Sequence, residues 1–320
     1  ARRRALRSSA FGRCGPQDLA NTAWSYATLA FRDRPLMESI ASASRARMRE
    51  FSAQNRANTA WAFAALRLLD APLRDAISSS AIARIRRRDA GEERPGDGVG
   101  EERPGELATG LLAVVWALAS LGALRPELRG RVACALLRIG REEDECRAGA
   151  VPRAGTAAAG TPRVGARAPE EPRVDLDLPD RLVLHKPPGW EVDTTDSGDA
   201  RHLSVFLRSL LPGPLSRDAA HSYGFLHRLD TPSSGLILAA KTFEAHYDLK
   251  LQLCAGDLLR EYAVLGHGLL PPGRAHVDGR VHYWRHEAAA PSAVLDKGKP
   301  SRTLLRLLAQ CGGGGGGGGG

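Results

Sequence analysis

One ten-residue phrase, written twice, most constrains what this chain can fold into. Residues 20–29 read Ala-Asn-Thr-Ala-Trp-Ser-Tyr-Ala-Thr-Leu and residues 57–66 read Ala-Asn-Thr-Ala-Trp-Ala-Phe-Ala-Ala-Leu, which sets Trp24 and Trp61 37 residues apart. Self-similarity at a period of about 20–50 residues is the mark of a solenoid. Within each copy Ala20, Ala23, Trp24 and Ala27, and then Ala57, Ala60, Trp61 and Ala64, recur at helical spacing, with small residues that let helices approach closely. Pro35 and Pro72 each follow the Trp by eleven residues. Proline suits the first turn of a helix, so each repeat reads as a helix, a short turn and a second helix. On this reading Trp24 and Trp61 belong to the core, and Asn21 and Asn58 bond a neighbouring turn.

A weaker third copy, Val114 to Leu121 around Trp116, has Pro126 ten residues on. Trp61 and Trp116 are 55 residues apart, 18 more than one period. The excess is visible as Gly91-Glu92-Glu93-Arg94-Pro95-Gly96, repeated at Gly100-Glu101-Glu102-Arg103-Pro104-Gly105. A charged, Gly/Pro-rich stretch cannot bury a core, so residues 90–106 are expected to form a disordered insert. The Asn-Thr-Ala-Trp-x-aromatic-Ala pattern resembles the octotricopeptide-type helical repeats over roughly residues 15–140. That resemblance implies an array that binds RNA along a concave face, where Trp24 and Trp61 would stack on bases if they did not pack in the core. Three repeats are about the minimum for stability, so the affinity they supply alone is expected to be weak.

Charge agrees with a polyanionic partner. The net charge is +9, and residues 1–170 hold 28 Lys+Arg against 19 Asp+Glu, whereas residues 171–320 hold 17 of each. A basic half suits RNA; coding bias is the plainer reading, because all the lysines lie after residue 185. Residues 141–172, free of aromatic side chains and punctuated by Pro152, Pro162, Pro169 and Pro172, read as a tether. Its Glu142-Glu143-Asp144-Glu145 run reads as a solvated helix end. Cys14, Cys134, Cys146, Cys254 and Cys311 form no Cys-x-x-Cys pair, which suggests a reducing compartment. No run approaches the roughly 18 apolar residues that a membrane span needs.

The chemistry lies in the back half. Arg181 to Lys186 reads as a strand entering the Pro187-Pro188-Gly189 turn. Phe225-Leu226-His227-Arg228-Leu229-Asp230-Thr231-Pro232-Ser233-Ser234-Gly235 then leads into the apolar run Leu236 to Ala240. Tyr223 to Leu226 reads as a short strand, the Thr-Pro-Ser-Ser-Gly segment as a turn, and Leu236 to Ala240 as a buried strand. An Arg and an Asp two residues apart thus end a strand, where a rigid scaffold can present them to a cleft. Phe243 to Leu253 has helical spacing. Leu258 to Gly266 reads as a strand, Ala275 to His282 as a hairpin turning at Asp278-Gly279, and Leu304 to Leu308 as a last strand.

This segment resembles the RluA-type pseudouridine synthases: His-Arg-Leu-Asp, a hydroxyl-Ser-Gly turn and an aliphatic strand, preceded by His185-Lys186-Pro187-Pro188-Gly189 and followed by Arg260-Glu261-Tyr262. Where that family most often has Thr, this chain has Ser233, which keeps the hydroxyl. The resemblance implies that Asp230 is the catalytic carboxylate, that Tyr262 packs on the target base, and that the reaction converts uridine in RNA to pseudouridine by detaching, rotating and rejoining uracil. No redox change or energy input is involved, so no cofactor is expected. A carboxylate in a dry pocket can serve as nucleophile or charge stabiliser, and the base must leave its helix to reach it. Arg228 is a candidate to hold a phosphate or to fill the vacated space; its bland role is a surface ion pair, and that of Tyr262 is core packing. His227 is expected to bond a backbone group. His282 and His286 have metal-ligand spacing without a third ligand, and no Gly-x-Ser-x-Gly elbow accompanies Ser233 and Ser234, so neither a metal nor a hydrolase is expected.

Together these readings predict a multidomain chain. An all-α helical-repeat array (1–140) is joined by a linker (141–172) to an α+β pseudouridine synthase fold (173–311) with a mixed, mainly antiparallel sheet. The family's Arg-bearing closing segment is expected next, but Gly312 to Gly320 follow instead. Nine glycines hold no packed structure, so the domain is expected to be cut short, with unpaired strand edges. The expected partner is RNA, whether ribosomal, transfer or an organellar transcript, with no membrane. The start, with Arg2, Arg3, Arg4, Arg7, Ser8 and Ser9, suits the tail of a transit peptide and so an intracellular site in a chloroplast or mitochondrion, ten residues being too few to separate this from the cytosol. The oligomeric state stays open. The alternative is an RNA-binding protein that keeps the fold without the chemistry.

Overall fold

In the computed structural model the described residues are 11, 14–91, 103–148, 171–192, 201–211, 213–271, 273–282, 292–295 and 299–310. The front half is a row of three helical hairpins: α1 (Pro16–Thr28) with α2 (Arg34–Ala46), α3 (Ala53–Ala65) with α4 (Ala71–Asp89), and α5 (Pro104–Ser120) with α6 (Pro126–Ala148). Asp33, Ser52 and Asp70 cap α2, α3 and α4 by accepting the N–H of Leu36, Asn55 and Leu73. The first helix of each hairpin ends in the same left-handed turn, at Ala30 (φ +53°), Arg67 (φ +52°) and Gly122 (φ +64°). The N–H groups of Phe31, Leu68 and Ala123 reach back to the carbonyls of Tyr26, Phe63 and Leu118, as in a Schellman closure. The weak third copy therefore folds like the other two.

Helices α1, α3 and α5 lie side by side. Ala20, Ala23 and Ala27, then Ala57, Ala60 and Ala64, are buried between them. At Gly110 an added Cβ would stand 2.6 Å from the Ala53 Cβ, so α5 and α3 nearly touch. A seam this close has no room for indoles. Trp24 is 45 % exposed and Trp116 is 40 % exposed, which corrects the expectation that Trp24 is a core residue, whereas Trp61 is half-buried and packs against the core.

The expected linker is also revised. Helix α6 continues to Ala148, and its last turns dock on the back half; residues 149–170, most of the expected disordered insert and the glycine tail lie outside the described residues. The acidic run is not a solvated end. Asp144 accepts the N–H groups of Phe243 and Glu244 (2.9 and 3.1 Å), which caps helix α8 (Phe243–Ala255) from a different hairpin. Glu143 accepts from the Tyr247 hydroxyl at 3.0 Å, and Arg141 pairs with Glu244. Arg147 pairs with Asp218 and lies 4.4 Å over the Phe243 ring. An added Cβ at Gly140 would be 2.4 Å from the Glu244 Cα, so only glycine fits this crossing. Tyr247 and Leu251 of α8 belong to the same buried cluster as the hairpins. Helix α8 thus completes the core of the array, while two further apolar clusters lie within the back half.

Among the described residues the back half holds three small sheets rather than one. Strands β1 (Arg173–Asp177), β2 (Arg181–Lys186) and β5 (Gly235–Ala240) form an antiparallel sheet in that order, with Arg181 opposite Ala240 and Lys186 opposite Gly235. Helix α7 (Leu203–Leu210) covers one face, packing Leu203 and Leu207 with Leu184, Ile237 and Ala239. Helix α8 packs Phe243, Ala245 and Leu249 with Ala240 and Leu226. Ahead of α7 in the chain, β3 (Trp190–Glu191) and β4 (Arg201–His202) form a short parallel pair. Strand β6 (His276–His282) lies between β7 (Ala293–Val294) and β8 (Lys299–Leu304), and Arg280 and Asp278 of β6 reach the Thr28 carbonyl and Arg67 of the array.

Four strand expectations fail for local reasons. Residues 219–224 form 3₁₀ turns, because Ser222, Tyr223 and Gly224 all have positive φ; only Phe225 bridges to Ala239. Residues 258–266 form no strand, and Leu259, Val264 and Leu265 are exposed. Asp278-Gly279 is not a turn but the middle of β6, held by pairing with Arg302 and Ser301 along the whole of β8. The last strand is Lys299–Leu304, and residues 305–310 have no regular structure.

Candidate active site

Strand β2 alternates, burying Leu182, Leu184 and Lys186 on one face. Lys186 is fully buried at the strand's end. Its ammonium donates to the carbonyls of Pro187 (3.2 Å), Thr231 (3.2 Å) and Ser233 (2.7 Å). The Gly189 N–H donates to the Thr231 carbonyl at 2.8 Å, and the Ser233 N–H closes a four-residue turn on the Asp230 carbonyl at 2.9 Å. The two motifs, over forty residues apart in sequence, are thus bonded into one loop pair. Burial pulls the Lys186 pKa down, while the charge of Asp230 acts the other way. The sequence reading gave this lysine no role of its own. Its signal was a cation on the inward phase of an apolar alternation.

The segment before the turn is extended and alternates. Leu229 packs inward toward the β2–β5 core, which leaves Arg228 and Asp230 exposed on the outer side. Gly235 (φ +144°) lets β5 start directly beneath, with the Leu229 Cδ1 3.5 Å from where a Cβ would be. The Leu238 N–H points at the His227 Nε2 at 3.4 Å, the backbone bond expected of that residue. Burial, with the Arg260 and Lys250 cations, pushes the His227 imidazole down, which keeps it neutral and able to accept. Tyr262 is 57 % exposed. Arg228, Asp230 and Tyr262 are all solvent-facing, Arg228 and Asp230 on one short stretch and Tyr262 on a separate one. Such an exposed carboxylate, fixed by backbone bonds from a buried cation, is open to a large substrate and can act as nucleophile or base.

Residues 180–315 match the RNA pseudouridylate synthase family. The chain is 33 % identical over 128 residues to ribosomal large subunit pseudouridine synthase D of Nitrosomonas europaea, covering 40 % of this chain and 36 % of the relative. It is 30 % identical over 132 residues to the protein of that name in Buchnera aphidicola, covering 41 % and 40 %. To the uncharacterized RNA pseudouridine synthase YlyB of Bacillus subtilis it is 30 % identical over 128 residues, covering 40 % and 36 %. The chain thus spans well under half the length of the curated relatives it matches, and the matched stretch includes the loop pair that carries Lys186 and Asp230.

Proposed function

We propose that this chain is an RNA pseudouridine synthase of the RluA type, with Asp230 as its catalytic carboxylate. The supporting observation is the loop pair. The family match spans it, and the structure fixes its backbone by the Lys186 ammonium while leaving the Asp230 side chain open. In the reaction the bond between the ribose C1′ and the uracil N1 breaks, the ring turns, C5 joins C1′, and the C5 proton is lost to a base. Asp230 takes the nucleophilic step on sugar or base, Tyr262 lies against the uracil, and Arg228 holds a phosphate or the space the base leaves. Two of the three relatives named above are ribosomal large subunit pseudouridine synthases, which makes structured ribosomal RNA the first substrate to try. The three hairpins, read as octotricopeptide-like, give the enzyme a second RNA contact.

The test is incubation of RNA radiolabelled at C5 of uridine with the chain and with Asp230→Asn. Tritium release by the parent, lost at least about a thousandfold in the variant while RNA binding persists, supports the assignment. RNA retention with no release from either protein would instead make it a non-catalytic RNA-binding protein.

A further inference from the structure

The charge and aromatic side chains of the array are sorted by layer. On the outer side of α1, α3 and α5 there is no Lys or Arg, and the exposed acids are Asp18 and Glu106; what recurs is Gln17, Asn21, Trp24 and Thr28, then Gln54 with half-buried Asn58 and Trp61, then Thr109, Trp116 and Ser120. The arginine at position 56 of α3 is buried and donates to the Phe51 carbonyl. Amides and hydroxyls beside indoles match nucleobases, which offer flat faces and hydrogen-bonding edges but no charge. The Trp24 and Trp61 ring centres are 6.4 Å apart and tilted by 37°, so the indoles of the first two hairpins are neighbours, and Trp116 holds the matching position of the third. Each hairpin adds an exposed arginine at the neighbouring turn, Arg32, Arg67 and Arg125, which here bond the Arg67 carbonyl, Asp278 and Asp75; a phosphate would replace those exposed partners.

The row also has a direction. Helix α8 is antiparallel to α6, since its first residues meet Asp144 and the following Asp257 meets Arg129. It therefore runs parallel to α1, α3 and α5. Strand β5 leads into α8 through a two-residue turn, so the start of β5, with Asp230 before it, lies at the end where α1, α3 and α5 finish. Each Trp sits four residues before the end of its helix, at that same end. The contacts of β6 with Thr28 and Arg67 fall there as well.

We propose that Trp24, Trp61 and Trp116 form a stacking row for the unpaired bases of a single RNA strand, with Arg32, Arg67 and Arg125 taking its phosphates, and that the row leads the strand to the Asp230 side of the back half. This rests on RNA being the substrate. The test measures binding of a labelled ten-nucleotide single-stranded oligouridine, and of a blunt duplex of equal length, to the full chain and its Asp230→Asn form. Trp24→Ala and Trp116→Ala, whose indoles are exposed, should keep their circular dichroism yet bind the single strand about tenfold more weakly each. Trp24→Phe should retain most of the affinity, tryptophan emission should be quenched by the single strand, and the duplex should show no dependence on either indole. Arg125→Gln should lower the salt dependence by about one ion. Folded Ala variants that bind the single strand within twofold of the parent overturn the row, as does equal loss with the duplex or equal loss in Trp24→Phe. So does a loss of protein capture with RNA affinity unchanged, which would make the face a protein-docking surface. If the row fails while tritium release still depends on Asp230, the enzymatic reading stands alone; indole-dependent binding with no release leaves the row and removes the enzyme.

Discussion

Lys186 turns a surface loop into a fixed platform. Three backbone carbonyls accept from one buried ammonium, so replacing it by methionine keeps the bulk and removes every donor. Unpaired buried acceptors cost about 1–3 kcal/mol each, partly relieved here because the loop can reach water. Lys186→Met is expected to lower stability by about 2 kcal/mol and to reduce turnover about a hundredfold through misplacement of Asp230, with RNA affinity nearly unchanged; denaturant unfolding and single-turnover rates check both. His246 gives a pH prediction. It is buried in α8, its Nδ1 has no hydrogen-bond partner, and burial drives its pKa down to about 3. A depressed folded-state value means that the unfolded chain takes up the proton first. Stability is full above the unfolded value near 6.5 and falls as pH drops from there toward 3, by up to about 1.4 kcal/mol per pH unit. His246→Leu should flatten that slope in urea midpoints measured at pH 7 and pH 5.

Elements show what sequence can and cannot disclose. The helices of the array, β2, β5 and α8 were legible because their apolar spacing and their Pro, Ser and Asp end signals are local, whereas α7 was not foreseen. Lys186 was equally visible in the alternation of β2. The exposure of Trp24 was not, because periodicity gives the buried stripe but not how closely the next helix approaches it. The role of Asp144 was hidden because the amides it caps are 99 and 100 residues away. The 258–266 stretch has strand composition, yet a strand exists only with a partner to pair with. The repeated turn yields its own test. Ala30 holds φ +53°, a conformation that costs a residue with a Cβ about 1 kcal/mol and glycine little. Ala30→Gly should raise stability by up to about that amount, seen as a higher Tm, whereas the third hairpin already has Gly122 there.

At the scale of the molecule, the array and the back half should unfold as one unit, since Tyr247 and Leu251 complete the core of the hairpins. Calorimetry of the parent should show a single transition. Gly140→Ala forces atoms from 2.4 Å to a tolerable distance at the α6–α8 crossing, an overpacking cost of about 1–3 kcal/mol. It should split the transition or lower it by several degrees, and Asp144→Ala should act in the same direction by about 1 kcal/mol through the lost cap. Helix α8 therefore answers to two interiors at once: Tyr247 and Leu251 belong to the array, while Phe243, Ala245 and Leu249 belong to the sheet. A segment with obligations on both sides has little freedom to drift. In a saturation library scored for folding it should be the least permissive thirteen positions of the chain, and a lineage that exchanged its front hairpins would have to rewrite this helix in the same step.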